Sequence, residues 1–323
     1  GARSPRKPSR ENGGAEPPKA LAGRGGAQPP AHPEGEKART MRAPLRQIQE
    51  GYCAMPRASE QHLDELVASV RASAKYQAVS EDLIRAVGRR ELAARGSLKE
   101  ALKATKNKLH QVAGAYLDAR PDYDGWLELL AAQRGQGAGF RAACAQIMRH
   151  HASTRERLPI VEAFYRELFA ALPPPRSVLD VACGLNPLAR PWMPLPDGTA
   201  YYACDLYADM VAFLNGFFGL AGVPGQAAQC DLLAGAPRVS ADVALALKVL
   251  PPLEQLGKDA GRDLLRALDA PRIVVSFPTH SLGGRGKGMA ASYDARFRAL
   301  AAAEGWPIER FEFAGELVFI VAK

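Results

Sequence analysis

Paired cysteines are missing from this 323-residue chain. Its five cysteines, Cys53, Cys144, Cys183, Cys204 and Cys230, are scattered without a CxxC, which argues against a zinc ribbon or dithiol motif and for reduced thiols. HxxxH and HExxH spacings are also lacking among the six histidines, so no metal centre is expected. No apolar run approaches the roughly 18 residues of a membrane-spanning helix, and no apolar signal core opens the chain. The expectation is a cytoplasmic protein without a membrane partner. Hydrophobic content of 47% with 24% charged residues is that of a globular chain.

Acid is spread evenly over the chain, but basic residues gather in the N-terminal half. The whole chain carries +8, with a pI near 9.3, but the formal charge runs +4 over residues 1–40, +6 over 41–160 and −2 over 161–323. Positive charge gathered in one half suits a polyanionic partner, because phosphate backbones attract cations whatever the base sequence.

Three segments follow. Residues 1–55 are rich in Pro, Gly, Ala and basic residues, with too few large apolar groups to offset the entropy of ordering, and disorder is expected. The first methionine is Met41, which fits a processed or extended tail. Residues 56–172 read as helical: Leu63, Leu66, Val67 and Val70 recur on one helix face. The run "SLKEALKATKNKL" places Lys99, Lys103 and Lys106 on one side, with Lys108 nearby, opposite Leu98, Leu102 and Leu109. Two later helices, "YDGWLELLAA" and "RLPIVEAFYRELFAAL", are joined by a glycine-rich linker, "RGQGAG". In residues 173–323, apolar runs bounded by Pro, Gly or Asp alternate with helical pieces, and "ERFEFAGELVFIVAK" suits a closing hairpin. The expected fold is α/β, a seven-stranded, mostly parallel Rossmann-like sheet of the class I methyltransferase kind, behind an N-terminal helical domain.

In such sheets ligands bind beyond the carboxyl ends of the strands, where strand order reverses. Asp205 is expected to end the second strand, where a carboxylate can take both ribose hydroxyls of a nucleoside. Asp231 is expected to end the third, where an acid can accept an adenine amino group. The turn "DVACGLNP" has one glycine, Gly184, not the GxGxxG that a pyrophosphate requires, so S-adenosylmethionine suits it better than NAD. Cys183 reads as a packing residue rather than a nucleophile. After the fourth strand, "LKVLPPLE" holds neither the Pro-Cys pair of cytosine C5 methylation nor the (D/N)PP(Y/F) box of exocyclic amino methylation. An acceptor atom with a free lone pair remains.

Five runs, "KNKLHQVAGAY", "HASTRER", "LDVACGLNP", "LKVLPPLEQ" and "SFPTHSLGGRGKGM", together resemble the aminoglycoside-resistance methyltransferases that modify guanine N7 in the decoding site of 16S rRNA, the actinomycete producer branch above all. The resemblance implies a cofactor, S-adenosyl-L-methionine, and a partner, 16S rRNA in the assembled 30S subunit, met by a monomer. It implies that Arg157, with Arg155 as the alternative, pairs with the methionine carboxylate, and that His151, Ala152 and Ser153 line the same pocket. Ala182 and Gly184 would give backbone contact, Asp205 and Asp231 would hold ribose and adenine, and Leu206, Leu232 and Lys248 would border cofactor or incoming base. Lys99, Lys103, Lys106 and Lys108, then Arg285 and Lys287, would meet the RNA. Met289 would pack on the target guanine once it is rotated out of its helix, and no general base is needed. Two rival readings are a methyltransferase of a small molecule and a cofactor-binding ribosome assembly factor that docks without transfer.

Overall fold

Strands buried on both faces need no polar alternation, and the apolar runs of the C-terminal half fold accordingly. In the computed structural model they form β1 (Ser177–Val181), β2 (Ala200–Asp205), β3 (Gly225–Gln229), β4 (Val243–Leu247) and β5 (Arg272–Pro278). A hairpin of β6 (Ile308–Phe313) and β7 (Glu316–Ala322) closes the set. The structure describes residues 1, 57–111, 116–117, 121–280 and 288–323. The tail expected over residues 1–55, Gly1 apart, lies outside the described residues, as do Arg285 and Lys287.

The seven strands make one sheet in the order β3-β2-β1-β4-β5-β7-β6. The first five are parallel, and β7 joins β5 and β6 antiparallel. This is the expected seven-stranded, mostly parallel sheet. Strand order reverses between β1 and β4, so a crevice opens beyond their carboxyl ends. Side chains alternate between two faces: Val178, Leu245 and Val274 enter one core, Leu179, Ala244 and Ile273 the other.

Helices α1 (Arg57–Arg71), α2 (Glu81–Ala94) and α3 (Leu98–Leu109) precede the sheet, followed by α4 (Tyr123–Ala132), α5 (Gly137–Met148), α6 (Ala152–Arg157) and α7 (Val161–Ala170). The stripe Leu63, Leu66, Val67 and Val70 is buried as its spacing predicts. It shares one core with Val178, Leu245 and Val318 of the sheet, and residues Arg46–Lys323 form one compact unit. Across the sheet, α8 (Ala208–Ala221) packs on the first face, and the second core holds residues of α9 (Leu250–Leu256), α10 (Ala260–Ala267) and α11 (Met289–Glu304).

Three local expectations are corrected. The "GAG" of the linker is the first turn of α5, because Ala143, Cys144, Ile147 and Met148 supply a helical apolar stripe behind it. Helix α3 buries Ala101, Ala104, Thr105 and Leu109, while Leu98 and Leu102 are only partly buried, since small residues allow the close approach to α1 and α2. Asp231 does not end a strand: β3 stops at Gln229, and Asp231 starts a turn that Ala234 closes with an N–H bond of 3.0 Å to the Asp231 carbonyl.

Candidate active site

The backbone itself marks the crevice. β1 and β4, the two strands at the reversal, are each followed by a non-glycine residue in the left-handed region, Ala182 (φ 48°) and Lys248 (φ 58°). Such conformations cost about 1 kcal/mol and persist where the surroundings fix them. Gly184 follows at φ 51°, and a Cβ there would lie 2.6 Å from the His151 ring. Glycine is required at that point by both conformation and space.

A cleft opens at the reversal, where ligands of such sheets bind. Of the expected cofactor residues, His151, Ser153, Arg157, Ala182 and Asp205 line it, with Leu206, Asp231, Leu232 and Lys248. Ala152 is buried instead, its N–H donating to the Tyr116 carbonyl at 2.7 Å, and Gly184 acts through its backbone. The Gly184 and Leu206 amides donate to the two oxygens of Asp205 at 2.8 and 2.7 Å, which fixes the carboxylate at the end of β2. Burial raises its pKa, although those amides oppose the shift. Burial raises Asp231 likewise.

Beneath the cleft lies a buried polar network that sequence reasoning passes over. Asp180, in β1, accepts through Oδ2 from Asn186 at 2.9 Å and from the Tyr201 hydroxyl at 2.7 Å. Its Oδ1 is buried with no hydrogen-bond partner among the described residues, and the residue lines the cleft. Burial pushes its pKa up to about 6, despite those two donors. The "LDVACG" spacing could have singled it out, because a carboxylate two residues from a tight turn must face the crevice or the core.

Arg157 is 1% exposed, and its guanidinium is engaged. Nε and Nη2 donate to Glu316 at 3.1 and 2.6 Å, and Nη1 donates to Asn186 at 2.8 Å. Three of its five N–H groups are thus engaged by the protein. The alternative, Arg155, is exposed and donates to the Arg149 carbonyl at 2.9 Å. Glu316 opens β7 and is equally buried; desolvation pushes its pKa up, but Arg157 and Lys248 outweigh it and hold the carboxyl below the usual range. Lys248 reaches Glu156 at 2.7 Å and Glu316 at 3.5 Å. No local motif announces Glu316, since it lies 159 residues from Arg157.

Burial raises the Cys183 thiol well above its ordinary value, which favours the protonated form and suits a packing residue. Met289 is the first residue of α11 and half-buried, and it is not among the described residues lining the cleft. On α3, Lys99 and Lys103 are exposed, whereas Lys106 donates to Ser73 Oγ and Lys108 to the Gln255 carbonyl, each at 3.0 Å. The four lysines are therefore not one free cationic row: two are tied down because neighbouring acceptors lie within reach. Among the described residues, no helix is long and apolar enough to cross a membrane.

Residues 72–320 match the family model described as "Ribosomal RNA methyltransferase (FmrO)". A Frankia casuarinae protein named 16S rRNA (guanine(1405)-N(7))-methyltransferase is 45% identical over 269 residues, which cover 82% of this chain and 95% of that one. A Micromonospora echinospora protein of the same name is 39% identical, over 82% of this chain and 98% of its own. Among solved structures, the 16S rRNA methyltransferase RmtF in complex with S-adenosyl-L-homocysteine is similar at a TM-score of 0.70 and 34% identity, covering 84% of this chain and 100% of that one.

Proposed function

The chain belongs to the FmrO family of ribosomal RNA methyltransferases, and we propose that it transfers a methyl group from S-adenosylmethionine to N7 of guanine 1405 in 16S rRNA, the reaction named for its relatives. The modification would confer aminoglycoside resistance. The observation that carries this reading is the cleft at the β1/β4 reversal, lined by Asp180, Asp205 and Asp231. Three carboxylates suit a ligand with an ammonium, a sulfonium, two ribose hydroxyls and an adenine amino group. The buried Oδ1 of Asp180, which has no donor among the described residues, suits the ammonium in particular.

When bound, the cofactor supplies an electrophilic methyl group on a cationic sulfur. Asp205 would accept the ribose hydroxyls while backbone amides hold it still, and Asp231 would accept the adenine amino group beside Leu206 and Leu232. His151 and Ser153 would flank the methionine part. Arg157 would turn its remaining N–H groups to the carboxylate, its plane fixed by Glu316. Guanine N7 has a lone pair and no proton to lose, so the protein needs to position it and exclude water, not to supply a base. Lys248 would border the incoming base, and Met289 would pack on it once it is turned out of the RNA helix.

On this reading the substrate is the assembled 30S subunit, met in the cytoplasm by a monomer. The exposed Lys99 and Lys103 of α3 would contact phosphate, and Arg285 and Lys287 would approach the target strand. The test is incubation with purified 30S subunits and labelled cofactor, then borohydride and aniline cleavage of the rRNA. Label with strand scission at the target guanine is expected; unlabelled rRNA would sink the proposal.

A further inference from the structure

Glu156 is out of place in an enzyme for RNA. It lies on α6 between two arginines, its side chain 40% exposed and paired with Lys248, which lines the cleft that a polyanion must approach. A carboxylate there repels phosphate, and its presence calls for a partner rich in donors. Its Oε2 accepts from Lys248, whose ammonium is also within 3.5 Å of the buried Glu316, so two acids share one lysine. No described residue donates to Oε1.

The surroundings are those of a base. Tyr116 lines the cleft and stacks on His151, with ring centroids 6.0 Å apart. Burial raises the Tyr116 phenol, and the charges of Glu156 and Tyr293 raise it further, which puts all three groups in one neighbourhood. Tyr293 stacks on Phe277 at 4.9 Å, one turn into α11 from Met289.

We propose that Glu156 is the specificity residue for guanine, its carboxylate accepting from N1–H and N2–H2 of the target base while Lys248 holds it in place. An ionised carboxylate only accepts, and guanine alone among the four bases offers two adjacent donors on its Watson–Crick edge. Adenine would set its N1 lone pair against the acid. N7 lies across the purine from that edge, so a grip on N1 and N2 leaves N7 directed into the cleft. The alternative role is to tether Lys248 and nothing more.

The proposal rests on the methyltransferase reading, and the experiment separates the two. 30S subunits are reconstituted with guanosine or inosine at the target position; inosine keeps N7 and N1–H but lacks the N2 amino group. N7 methylation is measured for the wild type, Glu156→Gln and Glu156→Ala, with cofactor affinity measured by calorimetry. Wild-type enzyme is expected to prefer guanosine roughly 10-fold in kcat/KM, as loss of part of a bidentate base contact requires. That preference shrinks toward unity in Glu156→Ala and to an intermediate value in Glu156→Gln, with cofactor affinity unchanged. If either variant loses rate equally on both substrates and keeps the wild-type preference, Glu156 only tethers Lys248 and the proposal is overturned. A wild-type enzyme that methylates neither substrate would overturn the underlying reading as well.

Discussion

Asp180 shows how one side chain can set a pH range. Its folded pKa of about 6 stands above the ordinary carboxylate value of about 3.9. Its contribution to stability is therefore full below about pH 4 and lost as pH rises to about 6. Ligand binding runs the other way, because an ammonium needs the ionised form. Cofactor affinity is expected to fall about 10-fold per pH unit below pH 6 in calorimetric titrations, and Asp180→Asn should bind weakly with that dependence flattened. Glu316 makes a second prediction. Glu316→Ala leaves Arg157 and Lys248 buried without their shared acid and is expected to cost about 3–5 kcal/mol by chemical denaturation. Glu316→Gln should cost less, since the amide still accepts one bond. Asp205 and Gly184 were legible in the sequence because strand ends and turns are local features. Glu316, Asn186 and Tyr201 were not, since their roles depend on partners that only the sheet topology brings near.

At the scale of elements, the strands were readable because each apolar run is fenced by Pro, Gly or Asp, and the closing hairpin by Gly315 at φ 84°. The end of β3 was not, because "QAAQCDL" has no breaker before Asp231 and the turn depends on its side chain, which accepts from the Leu233 amide at 2.9 Å. Gly225 starts that strand with no room for a side chain: a Cβ would lie 2.0 Å from the Tyr201 carbonyl oxygen. Gly225→Ala is expected to break the β2–β3 pairing and lower Tm, and cofactor affinity should fall with it because Asp231 hangs from the same strand. Ala182→Gly, at the end of β1, should instead raise stability by about 1 kcal/mol by relieving the left-handed backbone. Denaturation midpoints of the two variants, moving in opposite directions, would check both expectations.

For the whole molecule, charge asymmetry suggested a polyanion but could not say which cations are free. Folding ties Lys106 to Ser73 and Lys108 to Gln255, leaving Lys99 and Lys103 in solvent. Lys99→Ala with Lys103→Ala is expected to weaken 30S binding and to reduce the slope of log K against log salt by about 2, with cofactor affinity unaltered. An unchanged slope in filter-binding titrations would remove α3 from the interface. The bonds from Lys108 to the Gln255 carbonyl and from Arg90 to the Leu256 carbonyl join residues 147 and 166 positions apart, and they anchor the end of α9, whose Pro252, Leu253 and Leu256 wall the cleft. Both are bonds from exposed side chains rather than packed core contacts, and such contacts open most easily and close last. A chain refolding from denaturant should therefore regain its sheet before it regains a competent binding wall, so that recovery of ligand affinity lags recovery of secondary structure.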